Sequence, residues 1–327
     1  MALEEIAYPI FQAPIGSAAS IDLVAAVSNA GGCGTLAMTW AKPSAAGATI
    51  RRLKEMTSGP FAANFVLSFT PQALDAVLAA GAPIVTFSWG ISREYISRAR
   101  AAGASVGVQV GTVAGGKRAI AAGADFLICQ GLEAGGHVQS TTRLDDLVTG
   151  LKALDAGIPL VAAGGLVDGE DVARCLDRGA NGVMLGTRFV ATHEASAHSE
   201  YKSAIVESGP NDTSYTWCFD GGWPYSGHRV IRNKTLDDWE AAGCPLPGQR
   251  PGEEDRIAQS SNGKWLARYH MASPVDTTSG AVREMALYAG TGSDRIDRLV
   301  SAQEIVDKLA RQLPSRLSAS AGLMSRQ

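Results

Sequence analysis

The segment 130–137, QGLEAGGH, places an imidazole, a carboxylate and bare glycines in one loop that follows an apolar run. An imidazole can accept a proton near pH 7 or donate a hydrogen bond to a developing anion. The neighbouring glycines let a planar ligand approach the backbone closely. We therefore predict that His137 is catalytic, the alternative being that it only hydrogen-bonds its own turn. Glu133 is either a second acid-base group or a brace for backbone N–H groups, and we favour the brace. The remaining histidines are expected to pack or to lie at the surface: His193, His198, His228 and His270.

Two later stretches are candidates for a phosphate site. Ala163-Gly164-Gly165 and Gly186-Thr187 each follow a β-rich run, and they offer backbone amides and a hydroxyl. Loops in these positions commonly bind phosphate in barrel enzymes. Taken singly, such glycines can serve only to close tight turns, but their joint placement favours a phosphorylated substrate or cofactor. GTVAGGK at 111–117 fits a P-loop by its letters, yet Arg118 replaces the required Ser or Thr, so nucleotide hydrolysis is rejected.

These loops need a scaffold that gathers strand ends, and the sequence predicts an α/β fold of the (β/α)8 TIM-barrel type. Short β-rich runs alternate with alanine-rich amphipathic segments that end near glycine. In such a barrel the chemistry lies at the carboxyl ends of the strands. An open doubly wound sheet would need GxGxxG after its first strand, and FQAPIGSAAS lacks it. The eight strand candidates are YPIF, GCGTLA, FAANFVL, PIVTFS, SVGVQV, FLICQ, IPLVAA and NGVMLG.

The sequence pattern changes after the eighth strand candidate. We divide the chain into a barrel (1–205), a cap or insertion covering the barrel mouth (206–270), and C-terminal helices that return to the barrel (271–327). GAVREMALYAG and SAQEIVDKLARQL are the predicted helices of the last part. The cap segment lacks the βα period and is rich in aromatic residues. Four of its residues are expected near the substrate mouth, with packing inside the cap as the alternative: Trp217, Trp223, Tyr225 and His228.

Charge and composition exclude several classes of function. A net charge of −3 gives no electrostatic reason to expect nucleic acid or an anionic membrane as a partner. The five cysteines form no CxxC pair, so neither a disulfide framework nor a metal site is predicted. The N-terminus lacks the features of a signal peptide, and no run of about 20 apolar residues occurs. The sequence therefore predicts a soluble cytoplasmic protein that acts on small molecules.

Three motifs in order carry a family resemblance: PIFQAPIGS, QGLEAGGH and PLVAAGGLVDGEDVARCLDRGANGVMLGTRFVAT. Together they closely resemble the FMN-dependent nitronate monooxygenases, formerly called 2-nitropropane dioxygenases. The similarity extends into HRVIRN and LYAG near the C-terminus. The resemblance implies that FMN lies across the top of the barrel, with its phosphate on Ala163, Gly164, Gly165, Gly186 and Thr187. It further implies a flavin ring near Ala13, Pro14, Gly16, Asn64 and Gly135, with Gln109 and Gln130 at strand ends that face the flavin.

The reaction implied by this resemblance is oxidation of a nitronate or nitroalkane by O₂ to a carbonyl compound and nitrite, with His137 as the base. In this mechanism the cofactor carries the redox chemistry. The protein orients the substrate, accepts a proton and excludes water. The chain departs from many relatives at Gln139, where they have glycine, and at Gln109, where a basic residue is common. Losing a cation at that position weakens stabilisation of reduced, anionic flavin.

Other functions on the same scaffold stay open from the sequence. FMN-dependent enoyl-carrier-protein reductases and NAD(P)H:quinone reductases share a similar loop or barrel. No second nucleotide motif decides between these and a monooxygenase. A flavin-binding carrier without turnover is a third possibility, and the intact loop around His137 argues against it.

Overall fold

The computed structural model describes residues 2–313. Within them the chain forms a closed barrel of alternating strands and helices, followed by a segment that folds over one end. The strands are β1 (Ile10–Gln12), β2 (Gly34–Ala37), β3 (Phe61–Val66), β4 (Ile84–Ser88), β5 (Ser105–Val110), β6 (Phe126–Gln130), β7 (Gly136–His137), β8 (Leu160–Ala163), β9 (Gly182–Leu185), β10 (Thr213–Thr216), β11 (His228–Ile231), β12 (Arg256–Gln259), β13 (Trp265–Ala267) and β14 (Ser279–Gly280). The α-helices are α1 (Ile21–Asn29), α2 (Pro43–Met56), α3 (Leu74–Ala79), α4 (Arg93–Ala101), α5 (Val113–Ala122), α6 (Leu144–Lys152), α7 (Gly169–Asp177), α8 (Thr187–Val190), α9 (Ser199–Glu207), α10 (Lys234–Ala241) and α11 (Ala302–Gln312).

Eight strands form one parallel sheet in the order β1-β9-β8-β6-β5-β4-β3-β2. The two ends of that order also meet, since Cys33 N donates to Ile10 O and Gln12 N donates to Cys33 O, both at 2.9 Å. The sheet is therefore closed, and each of its strands overlaps one of the predicted strand candidates. The predicted (β/α)8 barrel is confirmed.

The interior of the barrel is filled by inward-facing side chains. Phe11 and Phe126 stack across it with ring centroids 6.1 Å apart. A Cβ added to Gly107 would lie 2.3 Å from the Phe126 ring, so glycine is required where that ring crosses the barrel. Phe126 is fully buried, and truncating such a side chain to alanine typically costs about 3–5 kcal/mol.

The outer helices begin and end at residues that the sequence marks. Ser20, Ser92 and Thr112 accept N–H groups from the first turns of α1, α4 and α5, and Asp168 forms a capping box with Asp171 at the start of α7. The glycines that follow most of these helices adopt positive φ. The segment that fits a P-loop by its letters lies in the first turns of α5, as the barrel interpretation required.

The last outer helix comes late in the chain. β9 is followed only by the short α8, and α11 packs between α1 and α7 in the place of the eighth helix. The intervening residues supply five of the six strands of two small sheets, β10-β11-β7 and β13-β12-β14, and β7 comes from the loop after β6. β11 pairs antiparallel with β7, which places His228 opposite His137 and Arg229 opposite Gly136. The segment over the barrel is thus joined by main-chain pairing to the loop that follows β6.

One predicted helix is wrong. GAVREMALYAG (280–290) contains only a 3₁₀ turn at Val282–Glu284, and Tyr288 forms an antiparallel bridge with Val230. Ile231 N also donates to Leu287 O at 2.8 Å, so pairing with β11 overrides the local helix preference of these residues. SAQEIVDKLARQL forms α11 up to Gln312, whereas residues 314–327 of the predicted C-terminal part lie outside the described residues. No helix within residues 2–313 is long and apolar enough to cross a membrane.

Candidate active site

A cavity of about 330 Å³ lies at the carboxyl ends of the barrel strands. Its size falls within the range usual for cofactor and ligand sites. Side chains or backbone from every barrel strand end contribute to its wall, so residues far apart in sequence meet here. It is lined by each of the predicted site residues: Ala13, Pro14, Gly16, Asn64, Gln109, Gln130, Gly135, His137, Ala163, Gly164, Gly165, Gly186 and Thr187.

One end of the cavity is formed by bare backbone. Gly164 and Gly165 adopt φ of +130° and +68°, a region that side chains disfavour. The carbonyl of Gly165 accepts a hydrogen bond from the Arg295 guanidinium at 3.1 Å, and that guanidinium is itself held by Asp168 and Asp171. The loop therefore has a fixed orientation, set from outside the cavity.

The first turn of α8 completes this end. The N–H groups in the first turn of a helix have no acceptor within it. Gly186 precedes that turn, and a Cβ there would lie 3.6 Å from the Ala13 and Ile15 side chains, at ordinary contact distance. The Thr187 hydroxyl accepts from Gly290 N at 3.0 Å, which ties the turn to the C-terminal segment. This end has the donors and the room for a phosphate.

His137 lies in the loop that follows β6 and is positioned by its backbone. Gln130 Nε2 donates to the His137 carbonyl at 3.1 Å, and Gln139 N donates to Gln130 Oε1 at 3.1 Å. A Cβ on Gly135 would lie 2.5 Å from both the Ala289 carbonyl carbon and Gly290 N. Glycine is thus needed at 135 because residues 289–290 cross directly behind the loop.

The imidazole of His137 is neutral. Burial, with a smaller contribution from His228, lowers the pKa of His137 from 6.5 to about 3. Its Nε2 is buried and has no hydrogen-bond partner among residues 2–313. A buried polar atom without a partner is costly, and in a functional site it indicates a group that pairs only with a ligand. A neutral ring with a free nitrogen can accept a proton or a hydrogen bond from a bound molecule.

His228 packs behind His137, with ring centroids 5.5 Å apart. Its Nδ1 lies 2.9 Å from the Ser226 carbonyl, and its Nε2 accepts from Phe219 N at 3.1 Å. These partners assign the Nδ1–H tautomer, with both nitrogens satisfied. Burial lowers the pKa of His228 to about 4. His228 is therefore a neutral structural partner that does not line the cavity.

Aromatic side chains cover His137 and continue towards the surface. Trp223 stacks on the imidazole with centroids 4.2 Å apart and planes 24° from parallel. Trp89 packs edge-on against Trp223 at 4.9 Å. Of the four cap residues predicted to lie near the mouth, Trp223 lines the cavity and His228 packs behind the wall. Trp217 and Tyr225 do not line it and are 51% and 93% exposed.

Two residues singled out in the sequence have bracing contacts. Glu133 Oε2 accepts from Leu144 N at 3.0 Å at the start of α6, which is the brace that the sequence favoured. Gln139 Oε1 accepts from Trp89 N at 3.1 Å, and its Nε2 donates to Gln109 O at 2.9 Å. The side chain at 139 thus joins the ends of β4 and β5 to the His137 loop.

Several lining residues were not found by sequence reasoning. They belong to the C-terminal segment, where Tyr288 packs 5.4 Å from the His137 ring and donates its hydroxyl to Met271 O at 2.7 Å. Ala272, Ser273, Gly290 and Ser293 also line the cavity. The sequence offers one signal for these residues, which is the family similarity at LYAG (287–290).

The donor set fits a flavin. Bare backbone lines the end at Gly164 and Gly165, the lining residues within 2–313 are uncharged, and a Cβ on Gly136 would meet nothing within 4 Å, which leaves space beside His137. Among residues 2–313 no Lys, Arg, Asp or Glu lines the cavity. Flavin-dependent barrel oxidoreductases are the class of enzyme to which this fold and this site point.

Comparison with known proteins agrees with that class. The nitronate monooxygenase family model matches residues 1–76 and 69–312. The structure resembles FabK from Thermotoga maritima with a TM-score of 0.80, 28% identity and coverage of 95% of this chain and 94% of that one. It also resembles a nitroalkane oxidase from Streptomyces ansochromogenes with a TM-score of 0.77, 28% identity and coverage of 96% and 98%. A Mycobacterium tuberculosis relative, (3aS,4S,5R,7aS)-5-hydroxy-7a-methyl-1-oxo-octahydro-1H-indene-4-carboxyl-CoA dehydrogenase, is 27% identical over 98% of this chain and 96% of its own length.

The chain belongs to the nitronate monooxygenase family, whose model spans nearly all of the described residues. It is a flavin oxidoreductase built on a TIM barrel.

Proposed function

We propose that the protein binds FMN and oxidises nitronates, and more slowly nitroalkanes, with O₂ to a carbonyl compound and nitrite. One observation carries the proposal: a neutral His137 with a free Nε2 lines the same cavity as the glycine-lined phosphate end. Family membership supplies the reaction class.

The residues that would hold the cofactor divide by chemistry. Backbone amides and a hydroxyl suit a phosphate that has no lysine or arginine partner among residues 2–313. The neutral amides at the strand ends suit the polar edge of the ring. The phosphate would lie on Ala163, Gly164, Gly165, Gly186 and Thr187, and the ring beside Ala13, Pro14, Gly16, Asn64, Gln109, Gln130 and Gly135.

Bound FMN would supply the redox chemistry, accepting electrons from the substrate and passing them to O₂. The part played by the protein is the proton. His137, neutral at physiological pH, accepts the proton of a nitroalkane or hydrogen-bonds the nitronate oxygens. Trp223 and Trp89 shield this exchange from water, which strengthens each polar contact inside.

The spectrum of the purified protein and nitrite release under air test the proposal. We expect flavin absorbance, one FMN per chain after acid extraction, and nitrite from ethyl nitronate. His137→Asn should keep FMN and lose roughly 10²–10⁴ in kcat/KM for neutral nitroethane, the usual range for a general base. A colourless protein that refuses added FMN would overturn the cofactor assignment. Unchanged nitroethane turnover in the variant would remove the base role.

A reductase is the second candidate, because the structure resembles FabK from Thermotoga maritima with a TM-score of 0.80 over 95% of this chain. On this alternative the protein is an FMN-dependent NAD(P)H reductase of the enoyl-carrier-protein or quinone reductase type. Anaerobic mixing with NADH or NADPH separates the two functions. Slow or absent bleaching of the flavin supports the monooxygenase, whereas rapid bleaching by either nucleotide favours the reductase.

A further inference from the structure

A continuous run of aromatic rings leads from the protein surface to His137. Trp40 is 56% exposed and packs against Phe69 with centroids 5.3 Å apart. Phe69 packs against Trp223 at 5.2 Å, and Trp223 stacks on His137. Trp40, Trp89 and Trp223 line the cavity directly, while Phe69 supports them from behind. One stretch of the cavity wall is therefore aromatic from the exposed Trp40 to His137.

Among residues 2–313, the same wall offers no lysine or arginine to pair with a second negative charge on the substrate. Within the described part of the chain, the polar side chains that line the cavity are neutral amides, hydroxyls and the imidazole. A carboxylate taken out of water without a cation or several donors is strongly disfavoured. Aromatic faces and edges, by contrast, favour another ring in an offset or edge-on arrangement.

We infer that the site selects nitronates with an aromatic or bulky apolar substituent, which packs against the part of the cavity wall lined by Trp40 and Trp223, and discriminates against nitronates bearing a second anionic group. The inference rests on the proposed function, since it assigns a substrate class to that site. It distinguishes this protein from an enzyme adapted to a carboxylate-bearing nitronate, which would need a fixed cation at the entrance.

Inert carboxylates test the inference without turnover, because a carboxylate has the planar, singly charged shape of a nitronate. The FMN-loaded protein is titrated calorimetrically with benzoate, butyrate and succinate. The affinity of benzoate relative to that of butyrate measures the contribution of the ring. The affinity of succinate relative to that of butyrate measures the effect of the second charge. We expect benzoate to bind about 10-fold more tightly than butyrate, which is the usual size of an aromatic-pair effect. We expect succinate to bind about 10-fold more weakly than butyrate, or weaker still, because its second charge has no partner.

Two exposed tryptophans provide a matched pair of variants. Trp40→Ala should weaken benzoate roughly 3- to 10-fold, the range expected for losing an aromatic partner. Trp217 is similarly exposed, at 51%, packs against Tyr215, and is not part of the cavity wall. Trp217→Ala should leave the order and spacing of the three affinities as in the parent protein.

Nitrite release from ethyl nitronate, measured in parallel, separates this inference from the proposed function. Nitrite formation with the expected order of carboxylate affinities supports both. Succinate binding as tightly as butyrate, or a Trp40→Ala variant that binds benzoate like the parent, overturns the substrate class whatever the nitrite result. Absence of nitrite from every nitronate, with the carboxylate order intact, overturns the proposed reaction and leaves the aromatic preference standing.

Discussion

The two neutral histidines under the aromatic wall make the stability of the protein depend on pH in a specified direction. Burial lowers the pKa of His137 to about 3 and of His228 to about 4, against 6.5 in an unfolded chain. Below pH 6.5 the unfolded state takes up protons that the native state refuses. The free energy of unfolding must therefore fall as the pH decreases from about 6.5 towards 3.

The size of the effect follows from these pKa values. Integrating proton uptake between pH 7 and pH 5, each histidine lowers the free energy of unfolding by about 2 kcal/mol, or about 4 kcal/mol for the pair. Carboxylates also contribute over this interval, so the informative quantity is the difference between the parent and a variant. Replacing His137 removes one of the two contributions and should reduce the loss by about 2 kcal/mol.

Urea denaturation of the parent, His137→Asn and His137→Gln at pH 7 and pH 5, with a fixed excess of FMN, measures this difference. Contributions from the FMN phosphate and from carboxylates cancel in the comparison. We expect both variants to lose about 2 kcal/mol less than the parent between the two pH values. Equal losses in all three proteins would mean that His137 takes up its proton in the native state, and the argument for a neutral base would be wrong.

Further predictions concern the activity, the phosphate end, the loop behind His137 and the flavin potential. Because His137 stays neutral down to about pH 3, kcat/KM for ethyl nitronate should show no acid limb near pH 6.5, and such a limb would contradict the assignment. Arg295→Ala should weaken FMN binding roughly 10-fold by releasing the Gly165 carbonyl. The control is Arg52→Ala, which removes an exposed ion pair. Equal FMN affinities of the two variants would show that the loop keeps its orientation without Arg295. Gly135→Ala should abolish FMN retention or folding because its Cβ would lie 2.5 Å from residue 289, and a stable yellow variant would refute the close approach. Gln109→Lys should raise the two-electron potential of bound FMN by on the order of 20–70 mV, the equivalent of about 1–3 kcal/mol; a potential unchanged in dye equilibration would place that side chain away from the ring.

The sequence predicts what is local and periodic in this protein. Strand and helix signals repeat along residues 8–187. The barrel and its loops therefore follow from hydrophobic periodicity and from the residues that begin and end each helix. His137 and the glycines at 164–165 stand at strand ends, where barrel geometry brings them together whatever the loops do. That His137 and these glycines line one cavity is therefore predictable from the amino-acid sequence alone.

The covering segment follows other rules, and its contacts are long-range. Tyr288 reaches the cavity because β11 holds residues 287–289 extended, against their helical composition. Trp223 stacks on His137 while Trp217 and Tyr225, nearby in sequence, point to solvent. Nothing in the spacing of these aromatic residues separates them. Pairing partners decide which side chain faces the site, and a single sequence does not reveal them.

Gln139 stands where many relatives have glycine, and we interpret its side chain as a brace for the site. This interpretation can be tested. Trp89 adopts a φ of +57°, a conformation that non-glycine residues hold only when their surroundings enforce it. The enforcing contact is the hydrogen bond from Trp89 N to Gln139 Oε1 at 3.1 Å. Gln139→Ala removes this bond and the one to Gln109 O, which together contribute about 1–3 kcal/mol.

Gln139→Gly, the residue of many relatives, should cost about 0.5–1 kcal/mol more through backbone entropy. With its tether gone, Trp89 relaxes and the wall against Trp223 loosens, so His137 becomes more accessible to water and its pKa rises towards 6.5. Both variants should then gain an acid limb between pH 5 and 6.5 in the kcat/KM profile for nitroethane, which the parent lacks. Gln139→Glu separates tether from size, because its carboxylate still accepts from Trp89 N but cannot donate to Gln109 O. If Gln139→Ala keeps both the parent stability and a flat pH profile, then the strain at Trp89 is held elsewhere and residue 139 does not control the site.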